Sequence, residues 1–232
     1  MSSLSNKRVG RYLLYAFGEI ILVVAGILIA LKINNYNEAA KEAKLLNGVL
    51  KNVSYDLELD TLTVNNAIAF YEAREKIAQE ILSDAYTLED YKSCVLCGSM
   101  LSTYFPLKIN DKGYSQLKSF NEGSDQKDSL TVDIVQFYNA YSALLGEFGD
   151  QVKDFSIGNI KDWRDHQPWF ASVTSGKADP RFYEYMTTQE FKNKVAYFNA
   201  IACKNYLNML RQYKLNALEL LRRLREREQN VS

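Results

Sequence analysis

The hydrophobic pattern of the chain changes once, sharply. From Tyr12 to Leu31 it is apolar without a break, 20 residues carrying the single charge Glu19. As a helix that run is about 30 Å long, the thickness of a bilayer's hydrocarbon core. The apolar stretch of a signal peptide is shorter, about 7–15 residues, and ends in a small-x-small cleavage site. "ILIALKINN" offers no such site, so the pattern predicts a retained transmembrane helix over residues 12–32. Beyond it, apolar residues recur at three- and four-residue steps, the helical period. One stripe is Leu46, Val49, Val53, Leu57, Thr61, Val64 and Ile68. A second is Ile134, Phe137, Tyr141, Leu144, Phe148, Val152 and Phe155, and a third Leu207, Leu210, Ala217, Leu221 and Leu224.

Boundary signals refine this. "TTQE" predicts a last helix starting near Thr187, with Thr187 as N-cap and Glu190 as its partner, running with or without a break to about Glu228. Shorter helices fit "LEDYKSCVLCGSML" and "KGYSQLKSF". Between Gly158 and Pro180 the period fails, and an irregular connection held by Trp163 and Trp169 is expected. Only three prolines occur, at 106, 168 and 180, which leaves long tracts free to be helical. No segment alternates strongly enough to predict a strand. The expected fold is all-α, an N-terminal transmembrane helix continuing into an elongated extramembrane helical bundle. The expected organisation is a basic tail over 1–11, the membrane helix over 12–32 and a helical domain over 33–232.

Charge narrows the location. Lys7, Arg8 and Arg11 precede the span, and Lys32, Lys41 and Lys44 follow it within about 15 residues, so a plain count ties. All three N-terminal charges lie close to the span, whereas only Lys32 is that near on the other side. A short basic tail is also hard to translocate. The N-terminus is therefore expected in the cytoplasm and the domain outside, which places a bacterial protein in the inner membrane, single-pass, with a periplasmic domain. After the span, 24 basic and 27 acidic residues remain. A nucleic-acid binder usually shows a basic surplus or stripe, so that class is set aside. The tail "LLRRLREREQ" interleaves Arg with Glu219, Glu226 and Glu228 and reads as a solvated, salt-bridged helix face.

The segment "YLLYAFGEIILVVAGILIALKINNYNE" resembles the N-terminal signature of an uncharacterised family of single-pass membrane proteins common in Bacteroidota, defined only as a domain of unknown function. The matching positions are Tyr12 to Glu19, Gly26 to Leu31 and Ile33 to Glu38, with Lys32 where glutamine is usual and Tyr36 where tryptophan is usual. Both departures suit a membrane interface. A looser similarity covers Tyr114, Leu117, Leu130, Ile134, Phe137 and Tyr138. The resemblance implies a fold and a location, and no activity.

Glu19 lies about 10 Å into the span, counted from Tyr12. A carboxylate placed in lipid costs about 2–4 kcal/mol unless it is protonated or paired, so such residues tend to face protein. Ala16, Gly26 and Ala30 fall near the same side and are small enough for close helix approach. The four residues mark a contact with another membrane protein or a second copy of the chain. A protonated and merely tolerated Glu19 is the plainer explanation.

Cys94 and Cys97 form "CVLC", a redox or disulfide pair, or else two cysteines at i and i+3 of a buried helix face. The helical tract around them lacks the strand that precedes a thioredoxin-like site. Cys203 is left over for the core. His166, the single histidine, stands beside Asp162 and Asp165, and no zinc-spaced Cys/His set accompanies it. No phosphate loop or nucleophile elbow occurs, so neither cofactor nor metal is expected. The function expected is a non-enzymatic, membrane-anchored interaction or assembly protein. The alternative is an enzyme or redox protein using the CxxC or the "DWRDHQPW" loop.

Overall fold

Long proline-free tracts become long helices. The computed structural model describes residues 3–123 and 128–231, with side chains described over 15–122 and 128–230. The chain divides into two units, 1–49 and 50–232. Helix α1 runs Ser3–Leu82, and the second unit continues with α2 (Leu88–Ser93), α3 (Lys112–Gly123) and α4 (Ser129–His166). Then come α5 (Phe170–Thr174), α6 (Pro180–Met186), α7 (Gln189–Phe198), a π-helical segment (Asn199–Tyr206) and α8 (Leu207–Val231). No strand occurs among the described residues.

The core of the second unit lies between the 50–82 part of α1, α4 and α8. Val53, Leu57, Val64 and Tyr71 of α1 meet Ile134, Phe137, Tyr138 and Val152 of α4 and Leu210, Tyr213, Ala217 and Leu224 of α8 in the buried set. Burial of such side chains contributes about 1.5–3 kcal/mol each, the main term holding amphipathic helices together. Polar pairs at the rim give the directions. Glu58 pairs with Arg225 and Glu72 with Arg211, so α8 runs antiparallel to α1. Asp133 pairs with Arg223 and Tyr141 accepts from Asn216, so α4 is also antiparallel to α8. The exposed ion pairs are worth little individually and serve as register marks.

Several boundaries differ from the sequence expectation. The last helical stretch is capped by Thr188, whose side chain accepts from Phe191 N–H at 3.2 Å, while Thr187 closes α6. The capping-box letters point to Thr187, with Glu190 three residues on; α6, started upstream by Asp179 and Pro180, takes Thr187 as its own C-cap and leaves the N-cap to Thr188. Helix α4 passes through Gly158 to His166. A helical glycine costs about 1 kcal/mol, and the next turns recover it by burying Asn159 and Trp163. The connection beyond is held as expected, with Trp163 and Trp169 edge to face at 5.5 Å and both buried. The tract around the cysteines is not one helix. It stops at Ser93, Cys94 has extended geometry, and residues 95–102 form successive turns. In α4 the inward leucine is Leu145, and Leu144 is 40% exposed.

Residues 103–111 form a non-helical strap along α1. Phe105 N–H donates to Tyr71 Oη at 3.2 Å, Asn110 N–H to Asp60 at 3.0 Å, and Gly113 N–H to Asp56 at 2.7 Å. The partners step backwards along α1 as the strap advances, so it runs antiparallel to the helix. Gly113 is where the chain comes closest. A Cβ there would stand 2.5 Å from Val53 N and 2.8 Å from Asn52 C, both backbone atoms. Gly113→Ala is therefore expected to destabilise the bundle by about 1–3 kcal/mol through overpacking, read as a lower urea midpoint; an unchanged midpoint would mean that the two backbones part to admit a methyl group at no cost.

Candidate functional site

In the first unit the apolar helix stands uncovered. Ile20, Leu22, Val23, Ile27, Leu28 and Ile29 are all more than half exposed. The most apolar part of this stretch is 0% buried. A core helix of a water-soluble protein is mostly buried, whereas contiguous exposed apolar patches mark surfaces that meet a membrane or another protein. The helix is long and apolar enough to cross a membrane. Ala16, Glu19 and Ala30 are exposed and a Cβ on Gly26 would meet nothing within 4 Å. At 3.6 residues per turn these four lie within about 80° of one another around the helix. They therefore share one face of α1.

Three groups of side chains in the second unit bear on candidate chemistry. The most buried is on α1. Asp60, 0% exposed, accepts from Asn110 N–H, from Asn110 Nδ2 at 2.6 Å and from the Tyr213 hydroxyl at 3.1 Å. Asp56, one turn earlier, accepts from Gly113. Burial pushes the Asp60 carboxyl above the ordinary 3.8; the bonds from Asn110 and Tyr213 pull it down, and the Asp56 charge raises it further. The Tyr138 hydroxyl nearby is buried without a protein partner, and burial raises it strongly too. This cluster was not singled out from sequence, yet a signal exists. Asp60 follows Leu57 by three residues and precedes Val64 by four, so it sits on the apolar stripe. The periodicity offers Thr61 as well, and the structure turns Thr61 half outward, bonded to its own helix at Leu57 O.

The second cluster joins α4 to α7. Lys194 bonds Asp162 at 2.5 Å and Glu190 at 3.1 Å, and lies 5.8 Å from the Trp163 ring centre. Trp163 Nε1 donates to the Tyr185 hydroxyl, which donates to Glu190. The bond from Lys194, with lesser help from His166, holds Asp162 below the usual carboxylate range. His166 contacts Asp162 one turn back along the same helix and is 71% exposed. The pair thus lies on a convex helix face, and among the described residues no group of three or more metal-ligating side chains forms.

The third cluster is the cysteine pair. Cys94 and Cys97 are joined in a disulfide. Cys97 is fully buried and Cys94 half-buried, while Cys203 is a separate buried thiol pushed up to about 12, chiefly by burial.

Comparison with known proteins bears on the apolar helix, the strap and the disulfide together. Residues 19–157, more than half of the chain, match a family of unknown function. The chain belongs to that family, DUF6090. The DUF6090 region begins at Glu19, takes in Asp56, Asp60, the disulfide and the strap, and ends inside α4, ahead of α5–α8. No curated protein and no solved structure matches the chain.

Proposed function

We propose that this DUF6090 protein is a membrane-anchored, non-enzymatic interaction or assembly protein. Residues 12–32 cross a bacterial inner membrane once, the tail 1–11 is cytoplasmic, and residues 33–232 form a periplasmic helical domain. One observation carries the reading: an apolar helical stretch of bilayer length with 0% of its core window buried. Two more support the orientation. The basic residues closest to the span precede it, and the Cys94–Cys97 disulfide suits an oxidising compartment.

The contact face is Ala16, Glu19, Gly26 and Ala30, and its occupant is a helix of another membrane protein or of a second copy. Small residues permit close approach, and a carboxylate in lipid gains most from a partner that donates to it. Glu19→Gln is expected to leave membrane insertion intact and to weaken the assembly, by roughly tenfold if one hydrogen bond of about 1–2 kcal/mol is lost. The measurement is the mass and composition of the tagged protein purified from mildly solubilised native membranes. Identical complexes in wild type, Glu19→Gln and Glu19→Leu would sink the contact. Digestion of the domain by external protease in intact cells stripped of their outer membrane checks the orientation; full protection would reverse it.

A further inference from the structure

We propose that the Cys94–Cys97 disulfide is a thiol–disulfide exchange site for a dithiol partner, with Cys94 the sulfur that is attacked. The inference is independent of the membrane reading. Four observations carry it. First, the two sulfurs differ in access. Cys97 is 0% exposed and Cys94 is partly open, so an incoming thiolate reaches Cys94. Second, the Cys97 backbone N–H donates to Cys94 Sγ at 3.1 Å and favours negative charge on that sulfur, while the Tyr86 hydroxyl, 3.9 Å away, gives its proton to Glu80 at 3.2 Å. Third, Val95 between the cysteines is 89% exposed, an apolar contact beside the reactive bond.

Fourth, the bond does little as a staple. It joins residues three apart, and the shortest loops constrain an unfolded chain least. The flanks are held without it. Thr87 and Asp90 close a capping box on α2, and Gly98 packs so near the Phe182 ring that a Cβ would stand 3.1 Å from it. Cys94 lies past the last turn of α2, so opening the bond breaks no helical ladder.

The exchange balances with a dithiol as reductant. One partner thiolate attacks Cys94 Sγ, the S–S bond breaks, and Cys97 leaves as a thiolate that takes up a proton. The partner's second thiolate then attacks the partner sulfur of the mixed disulfide. Cys94 leaves as a thiolate, held by the Cys97 N–H until it is protonated. Two electrons pass to the protein, and the partner becomes a disulfide.

The test uses the detergent-solubilised full chain with dithiothreitol as the dithiol and no denaturant, counting maleimide adducts by mass. One adduct is expected in the folded chain, at Cys94, where the unreduced chain gives none, with circular dichroism unchanged; Cys97 and the separate buried thiol Cys203 should react only once the chain is unfolded afterwards. In single variants at neutral pH, Cys94 of Cys97→Ser should alkylate at least about tenfold faster than Cys97 of Cys94→Ser, as its access and donor imply. A bond that opens only in urea, a domain that unfolds on reduction, or two cysteines of equal rate would each make the disulfide a structural staple and overturn the proposal.

Discussion

Trp169→Ala is expected to cost the bundle about 3–5 kcal/mol, the range for removing a buried aromatic from a packed core. Trp169 is 2% exposed and its ring meets Phe182 at 4.5 Å, Tyr185 at 5.4 Å and Trp163 at 5.5 Å. These rings come from α4, α6 and the α4–α5 junction, so the cavity would open where three elements meet. A domain of this size is stable by about 5–15 kcal/mol in all, and the loss is a large share of that. Trp169→Phe separates packing from hydrogen bonding. The indole N–H is buried without a partner, so phenylalanine removes an unsatisfied donor along with some volume and should cost under about 1.5 kcal/mol. Urea unfolding followed by near-ultraviolet circular dichroism gives both numbers. Equal losses for alanine and phenylalanine would mean that the indole itself, and not the filled space, stabilises the junction.

Asp60 gives the second large effect, and its sign depends on the substitution. Asp60→Ala strands the Asn110 N–H and the Tyr213 hydroxyl in the core. Each stranded group costs about 1–3 kcal/mol, so a loss of about 2–6 kcal/mol is expected, with the strap freed from α1. Asp60→Asn keeps an acceptor toward Asn110 and offers an N–H to the Tyr213 oxygen. It also removes a buried charge. Because burial raises the Asp60 carboxyl above 3.8 in the folded state, the folded protein binds this proton more tightly than the unfolded chain does. The resulting stabilisation is fully present below the unfolded value and is lost as pH rises through the folded value. At pH 7 Asp60→Asn should match or exceed the wild type, and the gap should close as pH falls into the acid range. A variant as weak as Asp60→Ala at pH 7 would show that the charge itself is required.

The order of difficulty along this chain has a physical cause. Helix existence was legible because burying one side of a helix writes a period into the sequence. Val53, Leu57 and Val64, Ile134 and Val152, and Leu207, Leu210, Ala217, Leu221 and Leu224 are inward as that period demands. Asp60 was missed because a polar letter on an apolar stripe is ordinarily an outward residue; only the strap, 50 residues away in sequence, supplies the donors that make its burial tolerable. The cysteines were misplaced for a related reason. "LEDYKSCVLCGSM" has the composition of a helix, but contacts such as Gly98 against Phe182 hold it in turns after Ser93. The π segment left a faint trace, four-residue steps through Phe198, Ala202, Tyr206 and Leu210 where an α-helix alternates threes and fours.

The sequence by itself determined the all-α class, the apolar stretch with one carboxylate, and the likeness to a family of unknown function, since each is a property of consecutive residues. Tertiary structure alone decided that Asp56 and Asp60 clamp a strap, that Lys194 ties α4 to α7, and that Cys94 is reachable while Cys97 is not. Those are relations between residues distant in the chain, and the free energy of burying a polar group or a sulfur depends on which neighbours the fold brings to it.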